Sequence, residues 1–378
     1  MDFGWTLEQQ RRHDEILEAA RSALGPEPAT TSTEFRKKWR EIGDLGLLGA
    51  CLPVEHGGAG SSALDTARSY EALGEACADT GVVFAASAHL FACAVPIAEF
   101  GSAAITSRWL PGMCGGDHIA GNAMTETGAG SDVARLATTA TPVDGGYLLN
   151  GEKSFVSNGP VADVFVTYAT TDPEAGHLGQ TAFVVAAEAP GVRVGEPFEK
   201  MGLRSTPAST VTFTDCLVPG DAVLGREGMG ATIFQHSMGW ERACLFAGYV
   251  GMMARLVDRV TQHARRRKQF GSSIGRFQAV SHRVVEMHMR LETARLLLYR
   301  ACWEMDQGRP ARLEVALSKL AASEGALASA MDAVRIFGAQ GFLADAGIEA
   351  ELRNAVPSVL FSGTSEIQRE LAARELGL

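Results

Sequence analysis

The sequence predicts an α+β chain in three parts: a helical domain over residues 1–113, a mostly β domain over 114–228 and a helical bundle over 229–378. Three observations carry that division. Between residues 34 and 48, Phe35, Trp39, Ile42, Leu45 and Leu48 recur every three or four positions and form one apolar helical face. From about Gly121, short runs at 147–149, 164–168 and 182–185 alternate with glycine-bearing turns, as strands do. Beyond Gly228 the helical period returns in two stripes, Leu245, Tyr249, Met252, Leu256 and Val260, then Val284, Met287, Leu291, Ala294 and Leu298. Such stripes belong to long antiparallel helices with their apolar faces inward.

Smaller elements follow in order. Residues 51–65, CLPVEHGGAGSSALD, read as a loop whose serines cap the next helix. Asn150 and Gly151 lie between extended runs and predict a hairpin turn. Residues 314–337 supply a third long helix, and no solenoid-like repeat is present.

A length of 378 residues allows two or three domains with real cores. An apolar fraction of 46% and a mean hydropathy of +0.03 fit a soluble globular enzyme rather than a fibrous or disordered chain. With 34 basic against 44 acidic side chains the net charge is −10, which argues against a duplex nucleic-acid partner. The basic run 265–268 is too short to change that. Seven widely spaced cysteines show no metal-ligand spacing, so no metal site is expected. The odd count and the polar opening MDFGWTLEQQRRHDEI fit a reducing compartment, the cytoplasm. No run is expected to match the apolar length of a membrane helix, so no membrane partner is expected. His89, His236 and His263 read as surface or satisfied polar groups, and Met252, Met287 and Met289 as helix packing.

Four separated segments carry a resemblance. They are AMTETGAGSD (123–132), LNGEKSFVSNG (149–159), KMGLRSTPASTVTF (200–213) and RRRKQFGSSIGRFQAV (265–280), with FSGTSEIQRE (361–370) near the end. In this order, set between helical, β and helical regions, they resemble the acyl-CoA dehydrogenase family over almost the whole chain. The resemblance implies that family's fold, with an N-terminal helical domain, a middle β domain and a C-terminal four-helix bundle. Three further segments, 83–97, 237–253 and 317–338, resemble the carrier-linked branch, the L-prolyl-[peptidyl carrier protein] dehydrogenases of pyrrole biosynthesis. Desaturation beside a thioester needs a base for the α proton and an acceptor for the β hydride. Hydrogen-bond donors near the thioester oxygen stabilise the developing enolate.

In much of the family the base immediately precedes the late Gly-Thr pair, where this chain has Ser362, which is no carboxylate. The family's alternative position, in the helix after the β domain, falls on Glu241. Glu241 lies four residues before Leu245 on the apolar stripe, so it is expected to face packed protein and to have its pKa raised. Two blander readings stay open: a carboxylate stabilised at a helix N-terminus, or a structural pair with Arg242. Glu366 is the runner-up base.

The cofactor implied is FAD, whose N5 takes the hydride. The resemblance sets Met124 and Thr125 at the flavin ring and Gly130 and Ser131 at a tight turn contacting phosphate, with Gly128 or Gly130 alternatively a plain turn residue. It sets Phe155 and Ser157 beside the ring, unless they are ordinary β core and a local turn bond. Arg267, Phe270 and Gln278 are expected from another subunit at the pyrophosphate and adenosine end, against a solvated arginine run, a bundle anchor and a surface amide. Gly338, Ala339, Thr364 and Glu366 complete the implied contacts, unless loop architecture accounts for them. Thr127 and Arg335 stand where proline and glutamine are common. The shared site implies a homotetramer. The implied partners are a prolyl or other acyl thioester on a carrier's phosphopantetheine, and oxygen or an electron-transfer protein as reoxidant. Two successive oxidations would give the pyrrole-2-carbonyl thioester; the competing expectation is α,β-dehydrogenation of another short acyl-carrier or acyl-CoA thioester.

Overall fold

A computed structural model describes residues 4–25 and 27–378. The N-terminal part is built from α1 (Leu7–Leu24), α2 (Ser32–Asp44), α3 (Ala63–Ala76), α4 (Thr80–His89), α5 (Val95–Phe100) and α6 (Ala103–Gly115), with a π-helical turn (Leu90–Ala94) joining α4 to α5. Capping boxes start α1 at Thr6 with Gln9, and α2 at Thr31 with Glu34. Ser62 caps α3 as the serine-rich loop predicts, its Oγ accepting from the Asp65 amide. Phe35, Trp39 and Ile42 are buried; the stripe continues past the end of α2, where Leu48 is buried in the following turns.

The chain from Thr80 to Phe100 is long and apolar enough to cross a membrane, contrary to the expectation that no run reaches that length. It is instead the central core helix of the protein, with 94% of its most apolar window buried. Nearly all of it meets protein, apart from the strip at Phe84 and Ala88, so its composition reflects burial on almost every side.

The middle part is a mixed sheet of β1 (Ala120–Ala123), β2 (Thr139–Val143), β3 (Gly146–Ser157), β4 (Val164–Thr170), β5 (Gln180–Ala186), β6 (Val192–Val194), β7 (Ala208–Pro219) and β8 (Val223–Leu224). The order is β6-β7-β3-β2-β4-β5-β8, with β1 parallel to β4. All three predicted strand runs lie in β3, β4 and β5. The Asn150–Gly151 hairpin does not form: both residues lie inside β3, at a bulge against β7. Asn150 exchanges two bonds with Asp215, its Oδ1 accepting from the Asp215 amide at 2.8 Å and its Nδ2 donating to Oδ1 at 3.1 Å. Gly151 has φ 150°, and a Cβ there would lie 2.5 Å from Thr138 Oγ1. A bulge and a close approach use this dipeptide as readily as a turn does.

The last part runs α7 (Gly230–Trp240), a second π-helical turn (Glu241–Leu245), α8 (Phe246–Arg266), the short hairpin β9 (Lys268–Gln269) and β10 (Ser272–Ser273), α9 (Gln278–Asp306), α10 (Arg312–Phe337), α11 (Ala339–Phe342), α12 (Ile348–Ala355) and α13 (Ser365–Glu375). Helices α8, α9 and α10 pack side by side and α13 closes on α10, while α3 lies along α8. That crossing needs glycine: a Cβ on Gly74 would lie 2.2 Å from the Gly248 carbonyl oxygen. The α8 stripe from Leu245 to Val260 is wholly buried. Met252 and Met287 are core, whereas Met289 is 55% exposed, because two residues along a helix turn a side chain to the far face.

Candidate active site

Two wide turns face each other where the N-terminal core helix meets the long helix of the bundle. A π turn carries one extra residue per turn and is often found at functional sites. Here the second of them begins at Glu241. Since α7 starts eleven residues earlier and runs straight into it, Glu241 is no helix N-terminus, and that bland reading falls.

Glu241 is 8% exposed and lines a cleft of about 460 Å³. Burial raises its pKa, opposed by a hydrogen bond from the Ser362 hydroxyl to Oε1 and by the charge of Arg242. Arg242 does not simply pair with it: its Nε donates to the Ser362 carbonyl at 2.9 Å. Gln368 Nε2 donates to the same carbonyl at 3.1 Å and to that of Gly363 at 3.2 Å. Ser362 has φ 56° and Gly363 φ 85°, so the chain turns sharply here to present both the hydroxyl and the carbonyl. Sequence reasoning set Ser362 aside as a lost carboxylate and missed its role as the partner of the relocated one. A serine directly before Gly-Thr, with a glutamate at the alternative position, was the available signal.

The same cleft gathers Met124, Thr125, Gly130, Ser131, Phe155, Ser157 and Glu241. Phe155 is not β core: it is 66% exposed, with φ 56°, tilted against Phe198 at 5.5 Å. The tight turn is 126–129, closed by paired backbone bonds between Glu126 and Ala129, so Gly130 follows it rather than forming it. A Cβ on Gly130 would meet nothing within 4 Å, which leaves that side open to a ligand.

Behind Met124 stands a buried ion pair. Lys153 Nζ donates to the Met124 carbonyl at 3.2 Å and to Glu126 Oε1 at 2.8 Å, while Glu126 also accepts from the amides of Ala137 and Thr138. Burial pulls Lys153 down to about 8 against the pull of Glu126. Burial also opposes the Glu126 charge, but Lys153 and the neighbouring donors outweigh it and hold its pKa low. The pair fixes the backbone at Met124 and Thr125.

The remaining predicted contacts are elsewhere. Arg267 leads into the β9–β10 hairpin, Phe270 is at its tip, 94% exposed with φ 50°, and Gln278 opens α9. Gly338 and Ala339 form the break between α10 and α11. His263 stacks on Phe337 at 4.0 Å and so sets the hairpin beside the Gly338 break. This second group does not line the cleft. Thr364 caps α13 through the Ile367 amide, and Glu366 is exposed on its first turn, outside the cleft lining, which disfavours it as a base. Asn122, which sequence reasoning passed over, lines the cleft, and His89 supports it as a satisfied polar group, buried rather than on the surface. His89 accepts from the Ala120 amide at Nδ1 and meets the Met113 carbonyl at Nε2, so both ring nitrogens are satisfied and β1 is tied to α4.

Comparison with known proteins matches this arrangement. The acyl-CoA dehydrogenase N-terminal domain matches residues 6–117, the middle domain 121–216 and the C-terminal domain 228–377. An L-prolyl-[peptidyl-carrier protein] dehydrogenase of Pseudomonas fluorescens is 52% identical over the full length of both chains. One from a Serratia species is 42% identical over 100% of this chain and 99% of its own. Among solved structures, PigA with FAD and proline superposes with a TM-score of 0.97 at 41% identity and full coverage of both chains. The prolyl acyl carrier protein oxidase AnaB gives 0.96 at 38%, covering 99% of this chain and 100% of its own. With all three domains matched in order along nearly the whole chain, the protein belongs to the acyl-CoA dehydrogenase family.

Proposed function

We propose that the chain is an FAD-dependent dehydrogenase that oxidises an L-prolyl thioester on a peptidyl carrier protein to the pyrrole-2-carbonyl thioester. The observation that carries this reading is the carboxylate of Glu241, buried in the cleft and held by the Ser362 hydroxyl. The identities of 52% and 42% to prolyl-carrier dehydrogenases support the choice of acyl group.

The cleft fits a flavin. An exposed aromatic ring at Phe155 offers a platform for a planar group, Thr125, Ser131 and Ser157 offer polar contacts, and Gly130 leaves room for close approach. Bound there, FAD supplies the acceptor for the β hydride. Glu241 removes the α proton. Its raised pKa matches base and carbon acid more closely than a solvated carboxylate would. Ser362 aims the carboxylate, and Arg242 and Gln368 fix the Ser362 backbone. Repeating the desaturation removes four hydrogens in all from the ring. Oxygen or an electron-transfer protein reoxidises the flavin.

Arg267, Phe270, Gln278, Gly338 and Ala339 serve the pyrophosphate and adenosine end of FAD in a neighbouring copy, within a homotetramer. Their exposure away from the cleft supports this: Phe270 is 94% exposed, and its one ring partner among the described residues is Phe277, edge-on at 6.0 Å. Thr364 and Glu366 contact the same cofactor from within the chain. The enzyme works in the cytoplasm, with its seven cysteines as free thiols.

Anaerobic stopped-flow absorption tests the reading. The FAD-loaded protein is mixed with prolyl-carrier thioester and, separately, with short-chain acyl-CoA thioesters, and product masses are recorded. Selective bleaching by the prolyl carrier and a loss of four hydrogens after turnover are expected. Bleaching by an acyl-CoA alone would replace the prolyl reading with another short acyl thioester.

A further inference from the structure

The cleft contains an amide that the protein leaves unused. Strand β1 alternates cleanly: a Cβ on Gly121 would lie 3.1 Å from the Phe165 ring and Ala123 sits in the β core, while Ala120 and Met124 belong to the helical core. Asn122 therefore points away from the sheet core, toward the helices, and lines the cleft with Phe84, Ala88, Ala92, Met124 and Glu241.

Its Oδ1 is sealed from water and has no hydrogen-bond partner among the described residues. Among the described residues no hydrogen bond holds the amide at its other end either, so a half-turn about the last side-chain bond can present oxygen or nitrogen to the cleft. Nearby Asn158 also leaves its Oδ1 unpartnered, but its Nδ2 donates to the carbonyls of Ala85 and Ala120 at 3.1 and 3.2 Å, so that amide is held and cannot turn. Buried carbonyl oxygens are almost always matched, and one left unmatched on a half-buried side chain that lines the cleft with Phe84, Ala88 and Ala92 calls for a ligand that matches it.

We propose that Asn122 is a specificity-determining residue whose side-chain oxygen accepts the ring N–H of the prolyl group. This rests on the prolyl reading above. A prolyl thioester differs from a carbocyclic acyl thioester in one respect next to the α carbon: an N–H stands where the other has a methylene. The Asn122 carbonyl would pair with that N–H, set the ring's rotation so that its α C–H faces Glu241, and meet a methylene only at the cost of staying unpaired. A site built to bond a substrate N–H discriminates strongly against the analogue that lacks it.

The test crosses residue with substrate. Wild type, Asn122→Leu and Asn122→Ser, all loaded with FAD, are each mixed anaerobically with prolyl-carrier and cyclopentanecarbonyl-carrier thioesters. Asn122→Leu keeps the branched outline without the polar atoms, and Asn122→Ser keeps polarity should the bulkier leucine variant fold poorly; flavin content and dissociation constant are measured for each. We expect Asn122→Leu to lose about 10- to 100-fold in kcat/KM for the prolyl substrate and nothing, or a gain, for the carbocycle, with unchanged FAD affinity. Equal losses on both substrates, weakened FAD binding as the main effect, or no change would overturn the assignment of Asn122 while leaving the prolyl reading standing. A wild-type enzyme that the prolyl carrier does not reduce would overturn both.

Discussion

Ser362 donates its hydroxyl to Glu241 across 121 positions of sequence, joining the loop before α13 to the π turn before α8. The pair places an acceptor and its orienting donor on two different walls of one cleft. Removing the hydroxyl leaves the burial of Glu241 unopposed by its hydrogen bond, so its pKa moves further up. Ser362→Ala is therefore expected to shift the acid limb of the kcat/KM profile to higher pH, read from the pH dependence of flavin reduction. An unmoved limb would detach Ser362 from the base.

Replacing the proposed base, Glu241, is expected to have a larger effect. Glu241→Gln keeps the shape and one hydrogen-bonding end but cannot take a proton, and general-base catalysis is worth about 10²- to 10⁴-fold. The rate of anaerobic flavin bleaching should fall by that order while FAD content stays normal. A variant that bleaches at the wild-type rate would send the search back to Glu366 or elsewhere.

His89 sets an acid limit on the fold. Burial pulls its pKa down to about 4, against about 6.5 in an unfolded chain. Below about 6.5 the unfolded chain takes up a proton that the folded one refuses. The stability in question is thus fully present above 6.5 and is lost as pH falls from there toward 4, amounting to about 3 kcal/mol. Unfolding of wild type and of His89→Gln, compared from pH 8 to pH 4, should show a steeper acid loss for wild type across that window. Parallel curves would exclude His89 as the source.

Phe270 tests the shared site. An apolar ring 94% exposed on a left-handed turn is expected to be covered by a neighbouring copy. Phe270→Asp should lower the assembly state in sedimentation and weaken FAD retention together. A variant that sediments as wild type and keeps its flavin would return Phe270 to the status of a solvated hairpin tip.

Much of this was legible in the residues. The stripes of α8 and α9 were readable because apolar spacing survives in helices buried on one side, and β4 and β5 because their runs are unbroken. The resemblance pointed to Glu241 through the serine at the late position, and the residue's place on a stripe foretold its burial. What was hidden depended on distant partners. Asn150–Gly151 carries a turn's residues, yet Asp215, 65 positions on, pulls it into a bulge. The apolar run 80–100 looks different alone than inside a shell of other helices. No local pattern marks Asn122 as unpaired, because pairing is a property of everything around it. Phe155 and Phe270 invite a core assignment by composition, and only their positive φ angles and exposure show otherwise.

The π turn at 241–245 means that the place of Glu241, the proposed base, is written in chain length as well as in residue type. It holds one residue more than an α-helical turn would, a surplus absorbed between α7 and α8 without breaking either. Deleting a single residue there would let an ordinary helix run through. Each half would keep its own apolar stripe and nearly its own facing, because four residues of α-helix turn the chain about as far as five in the wide turn. The packing would survive the deletion, and only the local bulge that presents the Glu241 carboxylate to the cleft would close. Chain length in this stretch thus bears on the site rather than on the fold around it, and alignments that preserve every motif but not this spacing would miss the difference.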